Sequence, residues 1–184
     1  MTSSYITSTP SCIFLVGMPG SGKSSVGKVL AAELGYQFLD LDTLLEEQEG
    51  LSIAEVFAQK GQAYFRQAEA KALRRVKNLQ ENVILATGGG APCFHDNMAF
   101  MLDAGLAVYL KVAPQELVTR LTETDLQVRP LLRDKSPQEL LAFLAETLTQ
   151  RALFYAQAPV ILEVDGLSVA QAAQALVPLM QAGR

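Results

Sequence analysis

The sequence predicts an α/β fold, a three-layer sandwich around a central parallel sheet of about five strands. Three observations predict it. Short apolar runs at 12–16, 37–40, 83–86, 106–110 and 160–164 alternate with longer segments of helical period, as when each strand is followed by a crossover helix. Val83-Ile84-Leu85-Ala86 is apolar at every position, as a strand is when both faces of a parallel sheet are covered. Finally, 184 residues, 49% hydrophobic and 18% charged, suffice for one domain with a proper core and are too apolar for a disordered chain.

Each element has a local reason. Met1 to Pro10 lacks the basic start and apolar stretch of an export signal, and residues 1–11 read as a flexible tail before a single domain, 12–184. Cys12–Val16 is the first strand, followed by a glycine-rich turn and a helix from Ser25 to Leu34. The second strand, 37–40, runs into a helical pattern from Thr43. Ser52-Ile53-Ala54-Glu55 is a capping box that starts a short helix, which Gly61 interrupts. The helical period resumes from Tyr64 to Asn78. Strand 83–86 leads into Thr87-Gly88-Gly89-Gly90, then a helix from Asp96 to Asp103 and a strand from Leu106.

Pro114 suits the first turn of a helix reaching about Leu121. Residues 122–135 are polar, lack a clear period and hold few apolar anchors, so they are expected to form a lid. Ser136-Pro137-Gln138-Glu139 combines a capping box with a first-turn proline, and its helix runs through Arg151 towards Ala156. Residues 160–164 are the last strand, and Ser168 caps the last helix.

The composition narrows the partners. A net charge of −4 leaves no broad basic surface for nucleic acid or an anionic membrane. Any anionic substrate must therefore meet a few well-placed arginines. Cys12 and Cys93 lie in a strand and beside a glycine run, contexts of reduced thiols, with no CxxC pair for zinc. His95, alone, makes no metal cluster and reads as a surface residue. No apolar run approaches the length of a membrane span, and the expected compartment is the cytoplasm.

The most informative segment is Gly17-Met18-Pro19-Gly20-Ser21-Gly22-Lys23-Ser24. It carries two glycines four residues apart followed by Lys and Ser, directly after a strand and before a helix, which is a phosphate-binding loop in its proper context. Backbone N–H groups of Gly20, Ser21, Gly22 and the following residues can curl around phosphate oxygens. Lys23 reaches the β- and γ-phosphates, Ser24 is placed to ligate Mg²⁺, and the helix N-terminus adds partial positive charge. The fold is therefore expected to be of the P-loop NTPase kind.

Two further signals fall at strand ends, where ligands of such sheets gather. Asp40 and Asp42 are positioned to hold a Mg²⁺-bound water or to accept a proton from an attacking hydroxyl, although either carboxylate also suits a helix N-cap. Gly88-Gly89-Gly90 loses much chain entropy on folding, and close contact with substrate or nucleotide is the expected compensation.

Together these segments resemble the shikimate kinase family. The matching pieces are residues 17–24, Phe38-Leu39-Asp40-Leu41-Asp42, Phe65-Arg66, Thr87-Gly88-Gly89-Gly90-Ala91, Arg129-Pro130-Leu131-Leu132 and Arg151-Ala152-Leu153-Phe154-Tyr155. The resemblance spans about residues 12 to 165 and implies ATP-dependent phosphorylation of the 3-hydroxyl of shikimate by a monomer. It makes Lys23 the phosphate-binding lysine, with Ser24 and Ser25 beside it. Ser24 and Asp40 become the Mg²⁺ residues, Asp40 acting through water. Asp42 becomes the residue that binds ring hydroxyls and orients the attacking one.

The same resemblance assigns Arg66 and Arg151 to the substrate carboxylate and Gly89 to a substrate hydroxyl. It assigns Arg129 to the ATP phosphates when the lid closes, and Arg120 to the flank of the adenine. Arg74 and Arg75 read as surface charges. Gly166 to Ala170 lacks the basic residue that some relatives place near the adenine, so contacts from that loop are expected through backbone. Two other readings compete, a kinase for a related hydroxy acid such as gluconate and a nucleotide-binding protein without catalysis. The combination of Asp42, Arg66, the glycines and Arg151 disfavours the first, and Lys23 with Asp42 disfavours the second.

Overall fold

The computed structural model describes residues 10–123 and 135–181. Five strands, β1 (Cys12–Val16), β2 (Gln37–Asp40), β3 (Val83–Ala86), β4 (Leu106–Lys111) and β5 (Val160–Glu163), form one sheet in the order β2-β3-β1-β4-β5. Every neighbouring pair is parallel. The central strands β1 and β3 are buried at every position, whereas edge strands β2 and β5 are partly exposed. The all-apolar runs are thus the strands with a helix layer on each side.

Seven helices complete the layers: α1 (Lys23–Leu34), α2 (Leu41–Glu49), α3 (Ile53–Arg75), α4 (Asn97–Ala104), α5 (Pro114–Glu123), α6 (Pro137–Tyr155) and α7 (Val169–Gln181). Strand alternation decides what each face meets. Leu15 points towards α1, where a Cβ on Gly27 would lie 3.0 Å from its Cδ1 and 2.6 Å from Cε2 of Phe38. Gly27 therefore lets α1 lie close on the sheet, with α7 packed beside it. Phe14 points the other way and meets Phe100 of α4 edge to face, ring centroids 6.4 Å apart.

Several boundaries differ from the sequence expectation for identifiable reasons. Helix α1 begins at Lys23 because Gly22, at φ 93, turns the chain directly into it. Helix α2 begins at Leu41 because Asp40 is its N-cap and accepts a hydrogen bond from the Asp42 N–H at 3.1 Å. As expected, Gly61 interrupts the helix: its φ 79 and ψ 171 are non-helical and divide α3 into two helical pieces across a kink.

Residues 76–78 tighten into a 3₁₀ turn, and another covers Ala91–Cys93. The capping boxes at Ser52 and Ser136 both form. Pro10 and Ser11 belong to the folded body, since their carbonyls accept from Tyr36 Oη at 2.9 Å and the Val83 N–H at 2.8 Å. Residues 1–9 and 124–134, with Arg129 and most of the expected lid, lie outside the described residues. Among the described residues, no helix is long and apolar enough to cross a membrane.

Candidate active site

The strand order fixes where a site opens. The chain leaves β1 towards β2 and leaves β3 towards β4, while β1 and β3 are sheet neighbours. A crevice opens at the carboxyl ends of such a pair. The glycine-rich loop after β1, Asp40 at the end of β2 and the triple glycine after β3 all meet there.

The loop after β1 curls through left-handed positions at Gly20 (φ 83) and Gly22 (φ 93), which only glycine adopts cheaply. Lys23 is only 8% exposed, not solvent-facing, and its ammonium lies inside the curl. Its Nζ donates to the carbonyls of Gly17 and Met18, each at 2.9 Å. Ser25 is exposed on the first turn of α1. Arg120 donates from Nη2 to the Val164 carbonyl at 2.7 Å and from Nε to Glu116 at 2.9 Å. Its Nη1 lies 4.0 Å from where a Cβ on Gly22 would sit, so it stands beside the phosphate loop.

The structure brings Ser24 and Asp40 together. Ser24 Oγ donates to Asp40 Oδ2 at 2.7 Å. A hydroxyl and a carboxylate oxygen side by side suit a hard divalent cation that keeps waters and phosphate oxygens in its shell, as Mg²⁺ does. Among the described residues no group of three or more His, Cys, Asp or Glu could hold a metal without such help.

Across the crevice, the triple glycine makes room for charged side chains. A Cβ on Gly88 would lie 2.9 Å from Glu69 Oε1 and 3.3 Å from Asp42 Oδ1. On Gly89 it would lie 2.7 Å from Pro19 Cδ and 3.1 Å from Arg151 Nη1, and on Gly90 2.6 Å from Arg66 Nη2. Three successive missing side chains therefore admit two carboxylates and two guanidinium groups. Each arginine also keeps a nitrogen outside any hydrogen bond within the protein: Arg66 Nε and Arg151 Nη1 are buried without a partner. Buried donors of this kind are costly unless something accepts from them.

Two residues that sequence reasoning missed organise this wall. Glu69, only 1% exposed, accepts from Arg66 Nη1 at 2.7 Å. Burial pushes its carboxyl above the usual range, against the pull of Arg66. Its signal was present, since residues three apart on a helix share a face and Glu69 follows Arg66 by three. Tyr155 is fully buried at the end of α6 and donates from Oη to the Gly89 carbonyl at 2.5 Å, which fixes that peptide. Arg74, expected on the surface with Arg75, is half-buried and makes three hydrogen bonds, whereas Arg75 is exposed. Cys12 is a core thiol that burial pushes up to about 12, and His95 is exposed as expected.

Glu69 makes a testable trade between stability and function. Because its folded pKa is raised, the protonated form favours folding. That contribution is present below the ordinary carboxylate pKa and lost as pH rises through the raised value. Glu69→Gln is therefore expected to raise the melting temperature at neutral pH, with the gain vanishing as pH falls below the carboxylate range. Turnover should suffer, because Arg66 loses a charged acceptor worth about 1.5–3 kcal/mol, roughly tenfold or more in apparent substrate affinity. Thermal melts against pH, paired with initial rates, check both halves.

Fold and site together define a small-molecule kinase built around a phosphate-binding loop. The shikimate kinase family model matches residues 19–181, so the chain belongs to the shikimate kinase family. A shikimate kinase from Parabacteroides distasonis is 44% identical over 153 residues, covering 83% of this chain and 87% of that one. The crystal structure of shikimate kinase from Bacteroides thetaiotaomicron superposes with a TM-score of 0.87 at 41% identity, over 92% of this chain and 98% of the other. Shikimate kinase from Acinetobacter baumannii, solved in complex with shikimate, gives 0.82 at 32% identity, over 100% and 99%.

Proposed function

We propose that this protein transfers the γ-phosphate of ATP to the 3-hydroxyl of shikimate. One observation carries the reading: two arginines with buried, unpartnered nitrogens flank the triple glycine, next to a phosphate loop. A planar carboxylate accepts from two guanidinium groups in the way those nitrogens require. With its carboxylate on Arg66 and Arg151, the ring lies against Gly88, Gly89 and Gly90, and its hydroxyls reach Asp42.

Asp42 stands in the first turn of α2, with Oδ1 beside Gly88. It orients the attacking hydroxyl towards the γ-phosphate and accepts its proton. Lys23 and the N–H groups of Gly20 to Ser25 hold the phosphates, and Arg120 flanks the nucleotide. Ser24 and Asp40 would hold Mg²⁺, which when bound neutralises charge on the β- and γ-oxygens. Arg129 is assigned to the transferring phosphoryl group on the sequence match alone. Monomeric state and a cytoplasmic location belong to the same reading, the first checked by light scattering.

The test is a coupled assay with ATP, Mg²⁺ and a panel of hydroxy acids. Turnover with shikimate far above that with gluconate is expected. Preference for gluconate, or ATP binding without transfer to any acid, would replace the reading with one of its competitors.

A further inference from the structure

We propose that Phe94 is a positioning residue of the carboxylate clamp, holding the plane of Arg66 by stacking, and that the strained turn Ala91–Asn97 exists to keep it there. The inference rests on the reading that Arg66 meets the substrate carboxylate.

Among the described residues Arg66 has one polar restraint, the bond from Nη1 to Glu69, while its Nε is buried without a partner. One bond fixes a point and leaves the guanidinium free to rotate. Its Cζ, however, lies 4.4 Å from the centroid of the Phe94 ring and 4.9 Å from that of Phe65. Contact with an aromatic face orients a guanidinium plane and occupies none of its N–H donors, which stay available for a carboxylate. Phe65 is a core residue at 4% exposure and would be aromatic or aliphatic in any case, but Phe94 is 37% exposed. Its burial does not explain it.

The turn that carries Phe94 is costly. His95 (φ 50) and Asp96 (φ 55) are consecutive non-glycine residues in the left-handed region, a conformation that surrounding contacts must impose. Arg74 supplies them. Its Nη2 donates to the His95 carbonyl at 2.7 Å, and its Nη1 to Asn97 Oδ1 at 2.8 Å and the Ala70 carbonyl at 2.9 Å. Fully buried Asn97 passes the restraint on, its Nδ2 donating to the Ala91 carbonyl at 2.9 Å, directly after the triple glycine. Its backbone N–H donates to the Phe94 carbonyl, also at 2.9 Å. A buried polar network thus ties α3 to the turn and presents Phe94 over Arg66.

The test compares Phe94→Ala, Phe94→Leu and Phe94→Tyr with the wild type, measuring kcat and the KM of each substrate. Phe94→Ala should raise the KM for shikimate roughly 5- to 20-fold, with kcat and the KM for ATP within about twofold. Phe94→Tyr should restore the wild-type value and Phe94→Leu should not. Phe94→Leu keeps apolar bulk and carries the test alone if the alanine variant does not fold. In an Arg66→Ala background, Phe94→Ala should add nothing to the loss in kcat/KM, since the ring acts through that arginine. An unchanged KM, rescue by leucine, or additive losses would overturn the inference. A wild-type protein that leaves shikimate unphosphorylated would overturn the functional reading instead.

Discussion

Lys23→Ala is expected to abolish turnover in a protein that still folds. The ammonium sits inside the curl of the phosphate loop, bound to the carbonyls of Gly17 and Met18, and no other described lysine or arginine donates to those carbonyls. Its substitution removes the charge proposed to meet the β- and γ-phosphates. Removal of one preorganised donor from a transferring group typically costs about 2.7–4 kcal/mol, two to three orders of magnitude in kcat. The loss should fall mainly on kcat if the charge matters more as phosphoryl transfer proceeds than in bound ATP. Because Lys23 is buried and hydrogen-bonded, a modest loss of stability is expected too, of the order of 1–2 kcal/mol. Single-turnover rates beside a thermal melt separate the two effects. Turnover within tenfold of the wild type would remove Lys23 from its assigned role.

Arg151→Ala and Arg66→Ala are both expected to raise the KM for shikimate, and to differ in what they do to the fold. Losing one partner of a charge-assisted pair in a closed site costs about 2–5 kcal/mol, so a KM increase of roughly thirtyfold or more is expected for each. The KM for ATP should hardly move. Arg151 Nη1 is buried without a partner, but the guanidinium also stands beside Tyr155 and Glu69, so its removal should cost some stability, less than the loss of Arg66. Arg66 is the ion-pair partner of Glu69. Its removal leaves a buried carboxylate that must be protonated to remain there, so Arg66→Ala should melt earlier at neutral pH and recover towards acid pH. Equal melting curves for the two variants at neutral pH would contradict the geometry described for the pair.

Much of the fold was legible because its signals are local. Five apolar runs and two capping boxes place the strands and the starts of α3 and α6 without reference to the tertiary structure. Sheet order was not legible, since nothing in a run such as 83–86 says that it lies between β1 and β2. The phosphate loop follows from motif spacing after a strand, whereas the shared role of Ser24 and Asp40 is implied by the family resemblance.

The opposite wall was only half readable. Arg66 and Arg151 stand out through the family resemblance, because a helical arginine carries no mark of the group it will face. The roles of Tyr155 and Arg74 are hidden for a related reason, since each acts on something distant in sequence, whereas Glu69 bonds Arg66 three residues away and helical spacing does not say that the pair is buried. The Tyr155 hydroxyl reaches Gly89 across 66 positions, and Arg74 reaches His95 across 21. The chain entropy lost by the triple glycine calls for compensation, expected from contact with substrate or nucleotide. Part of that compensation is protein, the side chains of Glu69, Asp42, Arg151 and Arg66 that fill the space of the absent Cβ atoms.

The most direct test of the central claim is the position of the transferred phosphate. Incubation of the protein with ATP, Mg²⁺ and shikimate, followed by phosphorus–proton correlation spectroscopy of the product, reads it without a coupling enzyme. The account predicts a single new phosphate ester whose phosphorus couples to the proton on carbon 3. Phosphate on another ring hydroxyl, or release of inorganic phosphate with shikimate unchanged, would contradict it.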